Sequence, residues 1–183
     1  MHSVSEQPDS TAASATAVPL TLDRGFRPCA VEPGDECFPN GIFVFNISRL
    51  QAWVDANPAS FAVEWIAVAD LIDYASASLD EDTVRGADLS RPILLAEIAP
   101  GRYNVIDGHH RLALARRNGV ATVPGRRIAC PHHVPFLTST LAYERYVEYW
   151  NAKLQELQPK KRPRRSGARG RGRGETGRAS GGS

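Results

Sequence analysis

Asp107, Gly108, His109, His110 and Arg111 form one run between the β-forming residues Tyr103, Val105 and Ile106 and the helix formers Leu112, Ala113, Ala115 and Arg116. A glycine at a strand-to-helix junction lets the backbone approach a ligand closely. The first turn of the following helix offers N–H groups that have no intrahelical partner, at the positive end of the helix dipole. Such a junction binds anions, and phosphate is the obvious guest. Arg111 adds a planar fork of donors matched to phosphate oxygens, and the two histidines can donate hydrogen bonds or carry protons. Asp107 is the misfit, because a carboxylate repels a phosphate unless it holds Mg²⁺, takes the proton of a substrate hydroxyl, or caps the helix. The reading is therefore Asp107 and His109 as catalytic groups and Gly108, His110 and Arg111 as phosphate ligands. The ligand these residues fit is a phosphate group, with Mg²⁺ as an optional companion.

These residues need a hairpin and a helix to hold them. Pro100-Gly101 suits the middle of a type II turn between a strand over residues 92–98, which proline can only open, and the strand that carries Tyr103, Val105 and Ile106. Arg116 and Arg117 favour the helix C-terminus, Gly119 suits the left-handed position beyond it, and Val120 packs back. Residues 121–128 read as a short strand, placed at an edge because Pro124 interrupts it.

Residues 92–128 resemble the nucleotide-binding core of the ParB/sulfiredoxin superfamily, with its strand, glycine-containing phosphate loop, helix and closing Val123-Pro124 strand. Residues 62–72 are similar to the superfamily's first strand, which extends the domain to residues 61–128. Of the ParB partition proteins' Gly-Glu-Arg-Arg-x-Arg loop, only Gly108 and Arg111 are kept. In sulfiredoxin's Gly-Gly-Cys-His-Arg, His109 takes the place of the catalytic cysteine. The nearest loop is the Asp-Gly-His-x-Arg of the free-serine kinases. That resemblance implies ADP or ATP phosphates at Gly108 to Arg111, Asp107 near the transferred group, and a second carboxylate for which Glu64, Asp70 and Asp73 are candidates.

Before the core, Pro39-Asn40-Gly41 reads as a turn, residues 42–47 as a strand, and Ser48-Arg49-Leu50-Gln51 as a capping box opening a helix through Trp53 and Val54 that stops at Asn57-Pro58. After it, residues 135–157 place Phe136, Leu141, Tyr143, Tyr146, Tyr149, Trp150 and Leu154 at mixed three- and four-residue spacings. That is a helix with a broad apolar face, as core or as a dimer seam rather than a base-stacking platform.

At 183 residues and 42% hydrophobic content, the chain can bury one real core. Residues 1–24 carry almost no large apolar side chains and are expected to be disordered. No secretory signal and no membrane span is visible, so a cytoplasmic protein is expected. Cys29, Cys37 and Cys130 form no Cys-x-x-Cys pair and read as reduced thiols; with His132 or His133 they make an irregular zinc set at best. Residues 159–183 carry nine Lys and Arg against Glu175 alone, a charge of +8, and the formal +2 of the whole chain leaves 2 − 8 = −6 for residues 1–158. Lys160, Lys161, Arg162, Arg164, Arg165, Arg169, Arg171 and Arg173 in that disordered basic tail would hold nucleic-acid phosphates without sequence choice.

The chain thus reads as a mixed α/β protein: a tail (1–24), an N-terminal extension (25–60), a ParB/sulfiredoxin-like core (61–130), a C-terminal helix (131–158) and a basic tail (159–183). The function expected is nucleotide binding with phosphoryl transfer or hydrolysis. The alternative is a non-enzymatic, nucleotide-responsive DNA- or RNA-binding module. Partners are the nucleotide, nucleic acid through the tail, no membrane, and a second copy through the C-terminal helix.

Overall fold

A computed structural model describes residues 17–71 and 79–157. Asp73 and the basic residues from Lys160 onward lie outside the described residues. In chain order the elements are β1 (Cys37–Asn40), β2 (Phe43–Asn46), α1 (Ile47–Ala56), β3 (Glu64–Ala67), α2 (Glu81–Arg85), β4 (Ile93–Ala99), β5 (Arg102–Asp107), α3 (His109–Arg117), β6 (Thr122–Ile128) and α4 (Thr140–Leu157). The expected mixed α/β class is what the chain adopts, with a β1-β2 hairpin and a four-stranded sheet ordered β3-β6-β4-β5.

β4 is buried along its whole length, which requires both faces of the sheet to be covered. On one face Leu94, Ala96 and Ile98 meet Phe43, Phe45, Leu50, Val54, Tyr146 and Trp150; on the other, Ile93 and Leu95 meet Ile66, Val105, Leu112 and Val123. The stretch over 25–60 and the C-terminal helix therefore build one whole face of the core instead of leaning on a core finished without them.

The β4-β5 hairpin turns where Pro100-Gly101 predicted, with Gly101 at φ +71°. The edge placement of β6 is overturned: it lies between β3 and β4. Its proline is tolerated because the two neighbours use different halves of the strand. β3 runs beside residues 122–125 and β4 beside residues 125–128, so at Pro124 only one side has a partner. A Cβ at Gly125 would collide with Ile66 Cδ1, so a side chain there has to push that methyl aside.

Other boundaries also move. Residues 17–24, assigned to a disordered tail, lie instead across α4: Leu20 N–H and C=O both bond the Asn151 amide at 2.8 Å, and Trp150 Nε1 donates to Val18 O at 2.9 Å. The turn-and-strand reading of residues 39–47 lacked β1, whose Phe38 and Pro39 pair with Phe45 and Val44. Asn46, not Ser48, caps α1, accepting the Arg49 N–H at 3.0 Å, because Ser48 Oγ is taken by the Glu36 N–H at 2.8 Å. The strand expected over residues 62–72 is only β3, followed by a 3₁₀ turn, Val68–Asp70. The C-terminal helix begins at Thr140 and not near residue 131 or 135. Pro135 sits in a separate 3₁₀ turn, Val134–Phe136, and Ser139 Oγ accepts the Ala142 N–H at 3.1 Å.

Candidate functional site

The hairpin delivers Asp107 at the last position of β5, opposite Leu94, and the chain turns into α3 through Gly108. Gly108 has φ +97°, and a Cβ there would stand 2.5 Å from Ile93 Cγ2, so both the backbone sign and the packing demand glycine. Gly108 is itself the N-cap, its carbonyl accepting the Leu112 N–H at 2.9 Å, and no side chain caps the helix. The capping role weighed for Asp107 is thereby excluded. Asp107 Oδ2 instead accepts Nη2 of Arg111 at 2.7 Å.

That ion pair is a brace. Arg111 Nη1 donates to the Pro92 carbonyl at 2.7 Å and to the Arg91 carbonyl at 3.3 Å, tying the entry of β4 to the exit of β5. Arg111 and Asp107 side chains are 13% and 20% exposed, so the pair is shielded enough to hold both in place. Two of the three guanidinium nitrogens are committed to the protein, and the fork read from sequence as a phosphate clamp is first of all a structural tie.

Asp107, Gly108, His110 and Arg111 line one cavity of about 770 Å³. Its other walls come from α1 and the loop before β1 (Glu36, Ser48, Gln51) and from α2 and the segment after it (Thr83, Asp88, Arg91). His110 Nε2 accepts the Asp80 N–H at 3.4 Å, which ties the imidazole to the start of α2. Asp80 caps α2 in turn, and Arg117 grips Glu81 with two contacts of 2.7 Å, so α2 is pinned to α3 at both points.

His109, proposed as a catalytic group beside Asp107, is not among the residues lining the cavity. Its ring stacks on Phe38 of β1, centroids 4.5 Å apart at 23°, because successive helix positions point about 100° apart and the apolar hairpin covers that side. No family model, curated protein or solved structure matches this chain.

The carboxylates that line the cavity with Asp107 are Glu36 and Asp88, which the sequence reading did not select. Glu64 pairs with Arg127 at 2.8 Å on β3 and Asp70 stands in the 3₁₀ turn; neither lines the cavity. Hydrogen bonds from the Ser90 hydroxyl and N–H, at 2.6 and 2.9 Å, hold the Asp88 carboxyl below its ordinary range and keep it charged. The one sequence signal for Asp88 was its Asp-x-Ser spacing, an Asx-turn pattern that carries no chemistry by itself. Glu36 had none.

The zinc set does not form. Among the described residues no three metal-binding side chains converge, and all three cysteines are free thiols. Burial pushes the Cys130 thiol up to about 11, His132 packs on Trp53 and Phe61, and His133 is fully buried against Phe45 and Tyr146.

Proposed function

We propose that the cavity at the start of α3 binds a nucleoside phosphate and that Asp107, Glu36 and Asp88 act on its transferred or hydrolysed phosphoryl group. The observation that carries this reading is the junction itself: α3 starts at a left-handed glycine, has no side-chain cap, and opens on a cavity in the size range of small-molecule sites. Phosphates over this turn meet the helix dipole, with His110 and the unused N–H groups of Arg111 at their flank.

The charges favour a metal-bound ligand. Three carboxylates against Arg91 and Arg111 leave the cavity slightly negative, which suits a Mg²⁺-nucleotide better than a bare polyphosphate. Mg²⁺ needs only one or two carboxylates besides phosphates and water, so the lack of a preformed cage among the described residues fits it. Bound there, the metal would neutralise charge on the transferred group.

The hairpin, glycine, helix and returning strand agree with the ParB/sulfiredoxin resemblance, and the loop's likeness to the free-serine kinases makes ATP or ADP the first ligands to try. We place the protein in the cytoplasm, a reading supported by its three unpaired thiols. The basic tail is proposed to hold polyanions by charge alone.

Calorimetry with ATP, ADP, CTP and GTP, with and without Mg²⁺, tests the site, and a labelled-phosphate assay with serine, other small hydroxyl acceptors and water tests the chemistry. Asp107→Asn keeps an oxygen for Arg111 and removes the charge. It is expected to lower turnover about a hundredfold or more while nucleotide affinity changes little. Absence of nucleotide binding in the presence of Mg²⁺ would overturn the reading. Binding without turnover would leave the nucleotide as a ligand of a nucleic-acid-binding module.

A further inference from the structure

Two arginines line the α3 cavity, and they are used in opposite ways. Arg111 gives Nη2 to Asp107 and Nη1 to the Pro92 and Arg91 carbonyls. Arg91 is exposed, and among the described residues its guanidinium makes no hydrogen bond and no ion pair. The whole planar fork of Arg91, with its five N–H donors, is thus uncommitted.

Its main chain, by contrast, is fixed on both sides. The Arg91 N–H donates to the Asp88 carbonyl at 3.3 Å, closing a turn over Leu89 and Ser90, and the Arg91 carbonyl accepts Arg111 Nη1 at 3.3 Å. Pro92 follows and restricts Arg91 to extended backbone. An anchored main chain under an uncommitted guanidinium suits contact with a ligand, since little ordering of the backbone remains to be done on binding. The other end of the same turn is Asp88, whose carboxyl Ser90 holds by two bonds of 2.6 and 2.9 Å. One turn therefore presents the cavity with a carboxylate suited to Mg²⁺ and a fork suited to phosphate oxygens.

This turn adjoins the start of α3. A Cβ on Gly108 would stand 3.0 Å from Arg111 Nη2, and Nη1 of the same guanidinium reaches the Arg91 carbonyl, so about one guanidinium's width separates the helix terminus from the Arg91 main chain. A single phosphate on the helix terminus leaves Arg91 without a task, whereas a chain of two or three phosphates meets both. Resting on the reading of this cavity as a nucleotide-phosphate site, we propose that Arg91 holds a second phosphate and selects nucleoside di- and triphosphates over monophosphates. Arg111 is the positioning residue that sets the Arg91 main chain.

The test is calorimetry on the full chain in Mg²⁺ with the mono-, di- and triphosphates of adenosine, cytidine and guanosine. The wild type is expected to prefer the di- and triphosphate. Arg91→Ala keeps both main-chain bonds and the melting temperature. It is expected to weaken di- and triphosphate binding about ten- to a hundredfold and to leave the monophosphate's affinity nearly unchanged. Arg91→Lys, with the charge but not the fork, should fall between. Arg111→Lys should lower the melting temperature and also reduce the ratio of diphosphate to monophosphate affinity, which a purely structural tie would leave alone. If the wild type binds nucleotides and Arg91→Ala leaves that ratio unchanged, the role of Arg91 is overturned while the cavity keeps its ligand. If the wild type binds none of the nine nucleotides, the reading of the cavity fails and this inference fails with it.

Discussion

Gly108 shows how one residue serves fold and site together. Its φ of +97° costs any other residue about 1–2 kcal/mol, and the 2.5 Å approach to Ile93 Cγ2 adds an overpacking penalty of about 1–3 kcal/mol. Gly108→Ala is therefore expected to destabilise by about 2–5 kcal/mol in denaturant titration. Combining it with Ile93→Ala should cost less than the sum of the two single changes, because the cavity left at 93 receives the new methyl. Strict additivity would show that Ile93 is not what excludes a side chain. His133 links another single residue to pH. Desolvation by burial holds its imidazole down at about 3, against an ordinary value near 6.5, while Nε2 lies 3.1 Å from Tyr146 Oη. Between these values the unfolded chain takes up a proton that the folded protein refuses. The stability that neutral His133 contributes is thus complete above pH 6.5 and is lost as pH falls from there toward 3, at up to about 1.4 kcal/mol per pH unit. His133→Gln retains a partner for Tyr146 and removes the titration, so melting curves from pH 7 to pH 4 should show a shallower acid loss in the variant. Parallel loss in both proteins would rule out His133 as the source.

Among the elements, α1 gives the clearest lesson on capping. Asn46 is fully buried; its Oδ1 accepts the Arg49 N–H, while Nδ2 donates to Ala30 O at 3.0 Å and to Asp35 Oδ2 at 2.7 Å. Asn46→Ala removes a cap and two further hydrogen bonds and should cost about 2–4 kcal/mol, whereas Ser48→Ala, losing one bond to Glu36 N–H, should cost less than about 1.5 kcal/mol. Equal costs would restore the capping box read from sequence. That box failed because Ser-x-x-Gln is a local pattern, and the Glu36 N–H that claims Ser48 comes from twelve residues away. The same division runs through the whole reading. The hairpin at Pro100-Gly101, the glycine before α3 and the C-terminal Gly119, at φ +64°, were legible because each is fixed by its own backbone. β6 was misplaced because Pro124 penalises only a side with a neighbour, and the sheet order that decides this is nonlocal. The five-residue α2 had no room to show a helical period. Asp107, Gly108, His110 and Arg111 were found in one run, but Glu36 and Asp88 reach the cavity from separate loops with no mark of their own. His109 packs its ring on Phe38 instead of lining the cavity, a placement that spacing along one helix turn does not reveal until that apolar neighbour is known.

For the whole molecule, the question is what covers α4. Its aromatic face was read as core or dimer seam, and the chain answers with its own N-terminal segment. Asn151 holds Leu20 at both backbone groups, Trp150 holds Val18, Tyr143 Oη accepts the Asp23 N–H at 2.8 Å, and Phe26 stacks on Tyr143 with centroids 3.9 Å apart at 12°. These bonds are mostly to main chain, so composition gave no warning that such a polar stretch would be ordered. Removing residues 1–16 leaves every contact in this set in place, so the strap itself is tested by a longer truncation. Removing residues 1–26 takes away four hydrogen bonds and a stacked pair, about 2–6 kcal/mol, and should lower it by roughly 5–15 °C. The second truncation also bares Tyr143, Trp150 and Asn151. If this face has any tendency to pair, that variant will associate in light scattering at concentrations where the full chain stays monomeric, since the strap competes in cis for the same surface. A full chain that is already dimeric, with its mass halved by an exposed-face substitution such as Leu141→Glu, would show instead that α4 carries a seam outside the strap and that the segment is only a cover.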